Sequence, residues 1–481
     1  MKPRLCIRTD GNSVMGLGHL MRCFALAQMV KSKFSVCFYC LEIPPTLAAN
    51  IISAGFEFHK ISSDDKFVES VNGEDLVILD GYQFTESFQV ELKRVGVILI
   101  CIDDLHDKHY FADLILNHAP GITSGNYSAE IYTQFALGSD YVLLRPGFLK
   151  AASETDVKHD NEIAFICFGG ADPRNMTQQV LKIVSSRTQF KEINVVTGSA
   201  FTNAETIQSI ADKDIRIKYF QSIDDDRMLA LMQKSGIAIV PAGGILLECL
   251  AAGCNVISGL YVDNQKFIYS NYLQANTFTD AKDFSEVNII SAIKTAVSKP
   301  QVKRKFFDGK SGIRIEKILL NLAEAKKITL KVASIEDTDT TFKWANDPVI
   351  RKHSFSKAEI RKEEHVLWFE RKIQSEDCIY LIALKDDISV GSIRFDLNEG
   401  DALISYLVDP LYHGYGYGQV LLCKGLVFLK NIADSRGYVL QTVSGKVFKE
   451  NISSLKAFER TGFKIESETA EYVTFTKQIA A

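Results

Sequence analysis

The sequence predicts an α/β protein in which two lobes of parallel β-sheet face each other across a cleft and a separate α+β domain follows. From Arg4 to about Ile318, short apolar runs alternate with amphipathic segments, which is typical of parallel strands joined by crossover helices. From Ile328 onward, strand-like runs follow one another through tight turns instead. The length of 481 residues fits three domains of roughly 150 residues each.

The first two lobes share one design. Their predicted strands are Leu5–Arg8, Ser35–Cys40, Leu76–Leu79, Val97–Ile102 and Leu114–Asn117, then Ile163–Phe168, Ile193–Thr197, Ile215–Tyr219, Ile237–Val240 and Asn255–Ser258. The polar stretch Ala151–Asn161 lacks periodicity and is predicted to link the two lobes. We therefore expect a first lobe over residues 1–150 and a second lobe over residues 160–326, each resembling a Rossmann-like unit.

The third domain is expected over residues 328–481, after a basic helix at Gly312–Lys327. Its predicted strands are Thr329–Ala333, Tyr380–Leu384, Val390–Asn398 and Ala402–Val408. Helical segments are predicted at Asp337–Ala345 and Ala358–Ile373, and a glycine-rich loop leads into a long helix from about Gly418 to Arg436.

Composition excludes several classes of protein. Hydrophobic residues make up 46% and charged residues 24% of the chain, which is typical of a folded globular protein rather than a disordered one. The formal net charge of −4 provides no basic field for nucleic acid, and no apolar run approaches the length that a bilayer requires. The ten cysteines are scattered, so reduced core thiols are expected. We predict a cytoplasmic protein without nucleic-acid or membrane partners.

The first candidate site is the run Gly16-Leu17-Gly18-His19, which follows the first strand and begins a helix. Glycines let the backbone approach a ligand closely, and the free N–H groups of a helix start attract anions. His19 lies in the first helical turn, where the positive end of the helix dipole disfavours a protonated imidazole. His19 is therefore a candidate general base, and a histidine that merely caps or packs is the alternative.

The second lobe offers a matching platform. Gly243 and Gly244 form a turn between a strand and a helix, and Glu248 is expected in the first turn of that helix, where a carboxylate can bridge the two hydroxyls of a ribose. Asn264 and Gln265 follow the next strand. Ligands of open α/β sheets bind at the carboxyl ends of the strands, so we expect the two lobes to bind a nucleotide between them.

The run RTDGNSVMGLGHLMRCFALA resembles the start of the UDP-sugar hydrolases of pseudaminic acid biosynthesis, which are related to the two-lobed, glycosyltransferase-B-like enzymes. The segments LDGY, IDD, ADLILNH, LLRPGF, CFGGADPRNMT and VPAGGILLECLAAG support the resemblance in the same order over about residues 1–320. The resemblance implies an inverting hydrolysis in which His19 activates the attacking water.

The same resemblance implies the roles of the other residues. Gly16, Leu17 and Gly18 would face the diphosphate, with Glu248 at the ribose and Asn264 or Gln265 at the sugar-phosphate. Gly243 and Gly244 would line the nucleotide platform. Arg22 would belong to the substrate site, and the residues expected near the sugar are Asp80, Tyr82 and Asp103.

One loop carries a dense set of metal-ligand residue types, namely Asp103, Asp104, His106, Asp107 and His109. Most of these residues follow a single strand, and such runs are usually solvated loops. We therefore predict no metal site.

The second candidate site lies between strand Ala402–Val408 and the long helix. His413, Gly414, Gly416 and Gly418 alternate there, which opens backbone N–H groups toward a polyphosphate at a helix N-terminus. A tight turn is the alternative. The loop resembles the acyl-CoA loop of GNAT N-acetyltransferases, in which the position of His413 is usually Arg or Gln. The resemblance implies acetyl-CoA as co-substrate, with Val408 and the loop as its contacts.

The segment from Glu450 to Phe463 resembles the closing motif of the same family. Asn451 would contact the pantetheine arm. A tyrosine that protonates the departing thiolate often occupies the position of Phe458, so the proton donor stays open among Tyr412, Tyr415 and water. Asp401 and Glu399 are candidate bases for the amine proton.

The two halves together predict one bifunctional enzyme. The C-terminal domain would acetylate the 4-amino group of a UDP-amino sugar, and the N-terminal lobes would release UDP from the resulting UDP-2,4-diacetamido-2,4,6-trideoxy-β-L-altrose. Two alternatives stay open. The first is a glycosyltransferase, or a hydrolase of a different nucleotide sugar. In the second, the GNAT domain has another activity or none.

Overall fold

A computed structural model describes residues 2–12, 16–154, 159–262, 265–298 and 306–479 of the chain. The described residues form three large sheets, of which two are wholly parallel and the third is mostly antiparallel. The two parallel sheets and the mixed third sheet occur in the predicted order along the chain.

The first sheet has seven parallel strands in the order β3-β2-β1-β4-β5-β7-β9. Its strands are β1 (Arg4–Thr9), β2 (Ser35–Cys40), β3 (Glu57–Lys60), β4 (Leu76–Asp80), β5 (Ile98–Ile102), β7 (Leu114–Asn117) and β9 (Gln134–Leu137). Two short strands pair apart from it, β6 (His109–Tyr110) and β8 (Ser128–Ala129). The helices of this part are α1 (Gly18–Val30), α2 (Pro45–Ser53), α3 (Asp64–Ser70), α4 (Glu86–Val95) and α5 (Pro146–Ser153). Every residue of β4 and β5 is buried, as expected for central parallel strands covered by helices on both faces.

The second sheet has six parallel strands in the order β12-β11-β10-β13-β14-β15. These strands are β10 (Asp160–Ile166), β11 (Glu192–Thr197), β12 (Ile217–Gln221), β13 (Ser235–Pro241), β14 (Asn255–Gly259) and β15 (Thr279–Asp280). Its helices are α6 (Met176–Ser185), α7 (Ala204–Ala211), α8 (Asp225–Lys234), α9 (Gly244–Ala252), α10 (Lys266–Gln274), α11 (Glu286–Ser298) and α12 (Ser311–Ala325).

The third sheet has the strand order β16-β17-β18-β19-β20-β22-β21. Its strands are β16 (Ile328–Val332), β17 (Cys378–Lys385), β18 (Ile388–Asn398), β19 (Asp401–Val408), β20 (Thr442–Phe448), β21 (Lys464–Glu468) and β22 (Tyr472–Gln478). Its helices are α13 (Thr338–Ala345), α14 (Pro348–Lys352), α15 (Lys362–Gln374), α16 (Tyr417–Arg436) and α17 (Ile452–Arg460). Only β19 and β20 pair in parallel, and they lie in the middle of the sheet.

Two helices pack on a sheet other than the one that precedes them in the chain. Helix α5 follows the first sheet, but Phe148 and Leu149 lie in the core of the second. Helix α12 follows the second sheet, but Ile315 and Leu319 belong to the core of the first. Helices α5 and α12 therefore join the two lobes through buried apolar side chains.

The third domain packs against the first lobe. Gln419 of α16 donates a hydrogen bond to the side chain of Gln134 in β9, with the nitrogen and oxygen 3.3 Å apart. Lys477 of β22 donates to the backbone oxygen of Ile131 over 2.8 Å. Burial lowers the pKa of Lys477 to about 8, since little water reaches the ammonium.

Most predicted elements are present, with shifted ends. Strand β10 ends at Ile166 rather than at Phe168, because the chain turns at Gly169, where φ is +88°. The sequence prediction lacks β3 and β9 of the first sheet, β15 of the second, β20, β21 and β22 of the third, and the short pair β6 and β8. Of these, β3 is a polar edge strand, β9 has only four residues and β15 only two. All ten cysteines are free, and nine of them are buried, as predicted for core thiols. No helix in the described part of the chain combines the length and apolarity that crossing a membrane requires.

Candidate functional site

The first candidate site lies at the carboxyl edge of the first sheet. Strand β1 ends at Thr9, which is in register with Asp80 at the end of β4. Helix α1 begins nearby and places His19, which is 6% exposed, against that carboxylate. The His19 Nδ1 and Asp80 Oδ1 atoms are 2.7 Å apart. Because Nδ1 is held by Asp80, Nε2 is the nitrogen of His19 that is left to accept a proton.

Arg22 joins this pair to a second carboxylate. Its Nε and Nη2 atoms donate to the two oxygens of Asp80, each over 2.6 Å, and its Nη1 donates to Asp104 over 2.6 Å. Burial would raise the pKa of Asp80, but the charge of Arg22 and the hydrogen bonds from Arg22 and His19 outweigh it and hold that pKa below its ordinary value. Asp80 is therefore an ionised, immobile partner for the imidazole, a role that the sequence did not reveal.

Tyr82 contacts His19, whereas Asp103 is bound within its own loop. The Tyr82 ring meets the His19 ring edge-on, with centroids 4.6 Å apart. Asp103 accepts a hydrogen bond from the backbone nitrogen of His106 over 2.7 Å. Because Asp104 is bound to Arg22 and Asp103 is bound within its own loop, the carboxylates in this loop already have partners.

The glycine run faces the second lobe. Gly16 has a φ of +88°, and among the described residues beyond the adjacent chain no atom lies within 4 Å of a Cβ placed on Gly16 or Gly18, so the backbone has open space there. A Cβ on Gly170, at the turn after β10, would lie 3.3 Å from the Leu17 side chain. The two lobes therefore meet at this run.

The structure also brings together the residues predicted on the second lobe. Gly243 precedes α9 and Gly244 is its first residue, while Gln265 immediately precedes α10. The Gln265 amide nitrogen would lie 3.2 Å from a Cβ on Gly243, and its buried Oε1 lacks a hydrogen-bond partner among the described residues. Asn264 lies outside the described residues.

Glu248 lies in the second turn of α9, not in the first turn as predicted, because the helix begins at Gly244. Arg145, just before α5, donates from Nε to Glu248 over 2.8 Å and also pairs with Asp225. Burial raises the pKa of Glu248, although Arg145 opposes the rise. Arg145, which pairs with Glu248, therefore lies just before α5, the helix that packs on the second lobe.

His118 is a buried group that the sequence did not indicate as a site residue. His118 follows Leu116 of β7 by two residues, and Asp104 follows Ile102 of β5 by two residues. Leu116 and Ile102 are paired in register, so His118 and Asp104 occupy matching positions beyond neighbouring strands. Neither ring nitrogen of His118 has a hydrogen-bond partner among the described residues. Its backbone oxygen accepts from the Tyr272 hydroxyl of α10 over 3.0 Å. Burial lowers the pKa of His118 to about 4, so the ring stays neutral at pH 7.

The second candidate site is the loop between β19 and α16. Gly414 and Gly416 have φ angles of +88° and +79°, which favour glycine, and a Cβ on Gly414 would meet nothing within 4 Å. The His413 ring donates to the backbone oxygen of Val408 over 2.9 Å, so this side chain closes the loop. The open backbone and the start of a 20-residue helix fit a diphosphate group.

The sheet opens beside this loop. Strands β19 and β20 pair from Asp401–Thr442 to Ile404–Gly445, although they continue to Val408 and Phe448. Asn451 caps α17, accepting from the backbone nitrogen of Ser454 over 3.2 Å. The candidate bases Glu399 and Asp401 lie at the start of β19, at the opposite end of the strand from this opening.

The described residues include a further group of metal-ligand types, Cys37, Glu57 and His59, whose ligand atoms lie within 4.8 Å of one another. Burial raises the pKa of the Cys37 thiol to about 11, although the charge of Arg4 opposes the rise. A protonated thiol next to a guanidinium is a poor ligand for a cation, and we assign this group no role.

Comparisons with known proteins agree with this architecture. The acetyltransferase (GNAT) domain family matches residues 327–464. Over 271 residues, 55% of this chain and 93% of the relative, the chain is 28% identical to the UDP-2,4-diacetamido-2,4,6-trideoxy-beta-L-altropyranose hydrolase of Campylobacter jejuni. It is 26% identical over 479 residues, 96% of each chain, to the uncharacterized protein MJ1062 of Methanocaldococcus jannaschii. A solved domain from Methanocaldococcus jannaschii is 25% identical, spans 32% of this chain and 99% of its own, and gives a TM-score of 0.28.

The chain therefore combines an N-terminal part homologous to a UDP-sugar hydrolase with a C-terminal GNAT acetyltransferase domain, and the predicted fold class is confirmed.

Proposed function

We propose that the N-terminal lobes hydrolyse UDP-2,4-diacetamido-2,4,6-trideoxy-β-L-altrose to UDP and the free, inverted sugar, as a step of pseudaminic acid biosynthesis. The C-terminal domain acetylates the 4-amino group of the preceding UDP-amino sugar. The observation that carries the proposal is the buried pair of His19 and Asp80 beside the glycine run. The name of the Campylobacter jejuni relative supports the choice of substrate.

In this proposal His19 is the general base. Asp80 holds the Nδ1–H group, so Nε2 takes a proton from a water molecule as that water attacks the anomeric carbon from the face opposite UDP. Arg22 keeps Asp80 ionised, and this stabilises the imidazolium that forms. A single displacement inverts the carbon and requires neither a covalent intermediate nor a metal ion.

The second lobe holds the UDP group. Gly16 and Gly18 offer open backbone to the diphosphate, and Gly243 and Gly244 start a helix whose N–H groups favour an anion. Glu248 accepts hydrogen bonds from the ribose, held in place by Arg145. The unpartnered Oε1 of Gln265 is available to a hydroxyl or amide of the sugar.

The C-terminal domain uses acetyl-CoA, whose thioester supplies the acetyl group. The loop of Gly414, Gly416 and Gly418 contacts its diphosphate, with open space beside the backbone at Gly414, and the opening between β19 and β20 leaves unpaired strand backbone for its pantetheine arm. The product of this acetylation is the substrate of the N-terminal lobes, so one chain supplies both activities in equal amounts.

The test follows UDP release from UDP-2,4-diacetamido-2,4,6-trideoxy-β-L-altrose by proton NMR, for the unaltered chain and for His19→Ala. The matched control is His59→Ala, because His59 is an exposed histidine on the edge strand of the same sheet. We expect release of an inverted sugar that His19→Ala reduces by at least about a hundredfold and His59→Ala leaves unchanged.

Each other outcome removes a different part of the proposal. Release that His19→Ala does not reduce would reject His19 as the base. Release that requires an added sugar acceptor would identify a glycosyltransferase instead. No release with either arrangement would reject this nucleotide sugar as the substrate.

A further inference from the structure

Acetyl transfer from a thioester to an amine requires a proton for the sulfur that leaves. A nearby O–H or N–H group accelerates the step by supplying that proton. Phe458 has no such proton, and its ring is buried in the core. The ring stacks on Phe475 with centroids 5.2 Å apart, and its tip would lie 2.4 Å from a Cβ on Gly445. Phe458 therefore packs against β20, and another group has to be the donor.

Tyr406 lies in the opening between the two parallel strands. The last residue of β19 that pairs with β20 is Ile404, and Tyr406 follows it by two residues on the same face of the strand. Because pairing with β20 has ended there, the backbone next to Tyr406 is open on that side.

The Tyr406 hydroxyl reaches two helices that border this opening. It lies 2.9 Å from the Ser454 hydroxyl, in the first turn of α17. The same hydroxyl would lie 3.5 Å from a Cβ on Gly418, in the first turn of α16. One helix follows the glycine loop, and the other is capped by Asn451. The hydroxyl therefore lies between the helix that follows the glycine loop and the helix capped by Asn451, beside the opening that the proposed function assigns to the pantetheine arm.

The two other candidate tyrosines lie outside this opening. Tyr415 is 56% exposed on the loop. Tyr412 stacks on Tyr417, with ring centroids 5.9 Å apart. Both belong to the segment that follows Val408, where β19 has already ended.

We propose that Tyr406 is the proton donor to the sulfur of coenzyme A in the acetyl transfer. The proposal rests on the acetyltransferase activity proposed above.

In the step, the amine nitrogen bonds to the acetyl carbon, and the carbon–sulfur bond breaks with its electron pair going to sulfur. The sulfur takes the Tyr406 proton and becomes a thiol, while the proton that the amine loses goes to water. The Tyr406 oxygen regains a proton from water through Ser454.

The surroundings of Tyr406 suit a group that must carry its proton at neutral pH. Burial raises the pKa of Tyr406 to about 12, with the hydrogen bond from Ser454 opposing the rise. The hydroxyl therefore stays protonated until the sulfur develops negative charge.

The experiment compares the unaltered chain with Tyr406→Phe in two measurements. Calorimetry gives the Kd of coenzyme A and of desulfo-coenzyme A, which lacks the sulfur. Steady-state kinetics gives kcat and KM with the UDP-4-amino-4,6-dideoxy sugar. The matched control is Tyr438→Phe, because the Tyr438 hydroxyl accepts a hydrogen bond from Gly400 before the start of β19.

We expect Tyr406→Phe to lower kcat by about 10- to 100-fold with little change in KM for acetyl-CoA. The unaltered chain should bind coenzyme A about fivefold more tightly than its desulfo analogue, and Tyr406→Phe should abolish that preference. Tyr438→Phe should change neither result. Circular dichroism and the thermal unfolding of each variant serve as the check that it is folded.

An unchanged kcat together with an unchanged preference for coenzyme A would overturn the proposal. If the amino sugar is not acetylated at all, the proposed substrate fails, but a preference that depends on Tyr406 would still support Tyr406. Should Tyr406→Phe fail the folding check, Ser454→Ala replaces it. The expected result is a several-fold loss of kcat, and an unchanged kcat in that variant would also overturn the proposal.

Discussion

The two candidate sites are built from different parts of the polypeptide. At the first site, His19, Asp80, Arg22 and Asp104 form a chain of hydrogen-bonded side chains from three separate segments. At the second site, Gly414 exposes backbone, Gly416 adopts a positive φ, and His413 only closes the loop. Proton removal from water requires a side chain of defined charge, whereas a diphosphate can be held by N–H groups alone.

This difference predicts which substitutions each site tolerates. A site of side chains should be sensitive to the loss of one charge and insensitive to small backbone strain. A site formed by backbone groups should be sensitive to backbone strain and insensitive to the loss of one side-chain charge. Substitutions that test one property at a time can therefore break or sharpen the contrast.

The largest effect is expected from Asp80→Asn. The amide cannot hold the His19 Nδ1–H group as a carboxylate does, and Arg22 loses a charged partner, so UDP release should fall by about a hundredfold or more. Rates of UDP release measure the effect. Asp104→Asn is the matched control, because it takes a carboxylate from Arg22 but leaves the His19–Asp80 pair. If both variants lose the same fraction of the rate of UDP release, the pairing of Asp80 with His19 is not the cause of the loss.

Gly416→Ala should weaken acetyl-CoA binding by about tenfold without changing UDP release. The alanine has to adopt a φ of +79°, and its Cβ would lie 2.3 Å from the Asn321 side chain of α12. Calorimetry gives the Kd. Gly437→Ala is the control, since Gly437 also has a positive φ, of +64°, at the far end of α16 with open space around it. Comparable weakening in both variants would refute a direct role of the loop.

His118 should make stability sensitive to mild acid. Its pKa is about 4 in the folded chain against 6.5 ordinarily, so the unfolded chain binds more protons between these values. The free energy of unfolding should therefore fall as the pH drops from 6.5 to 4, by up to about 3 kcal/mol from this residue. Melting temperatures across that range measure it. His118→Gln should flatten the dependence, and an identical slope in the variant would contradict the assignment.

The smallest effect is expected from EDTA. Because Arg22 and the Asp103 loop already occupy the carboxylates near His19, a chelator should leave the rate of UDP release unchanged. A loss of activity that a divalent cation restores would show that a metal ion takes part after all.

The sequence was informative where a signal is local. The run from Gly16 to His19 and the loop from His413 to Gly418 each lie within a few residues, and Gly16, Gly18 and Gly414 have open space beside their backbone among the described residues. The alternation of apolar runs likewise predicted the two parallel sheets, because buried parallel strands are continuously apolar.

Other features depend on register and could not be predicted. Asp80 was expected near the sugar, but its bond to His19 arises because β1 and β4 pair with Thr9 opposite Asp80. Arg145 reaches Glu248 because α5 packs on the other lobe. In the sequence, Tyr406 looks like an ordinary core residue of a strand. Its place in the opening follows from the end of β19–β20 pairing at Ile404, which the sequence does not show.

Helix α12 has a consequence for how the chain folds during synthesis. The last strand of the first sheet ends at Leu137, yet Ile315, Ile318, Leu319 and Leu322 complete its core, roughly 180 residues later. The first lobe leaves the ribosome with an apolar groove uncovered until most of the second lobe has been translated. A chaperone that recognises exposed apolar surface should therefore engage this nascent chain throughout that interval, and a chain truncated before Ser311 should aggregate.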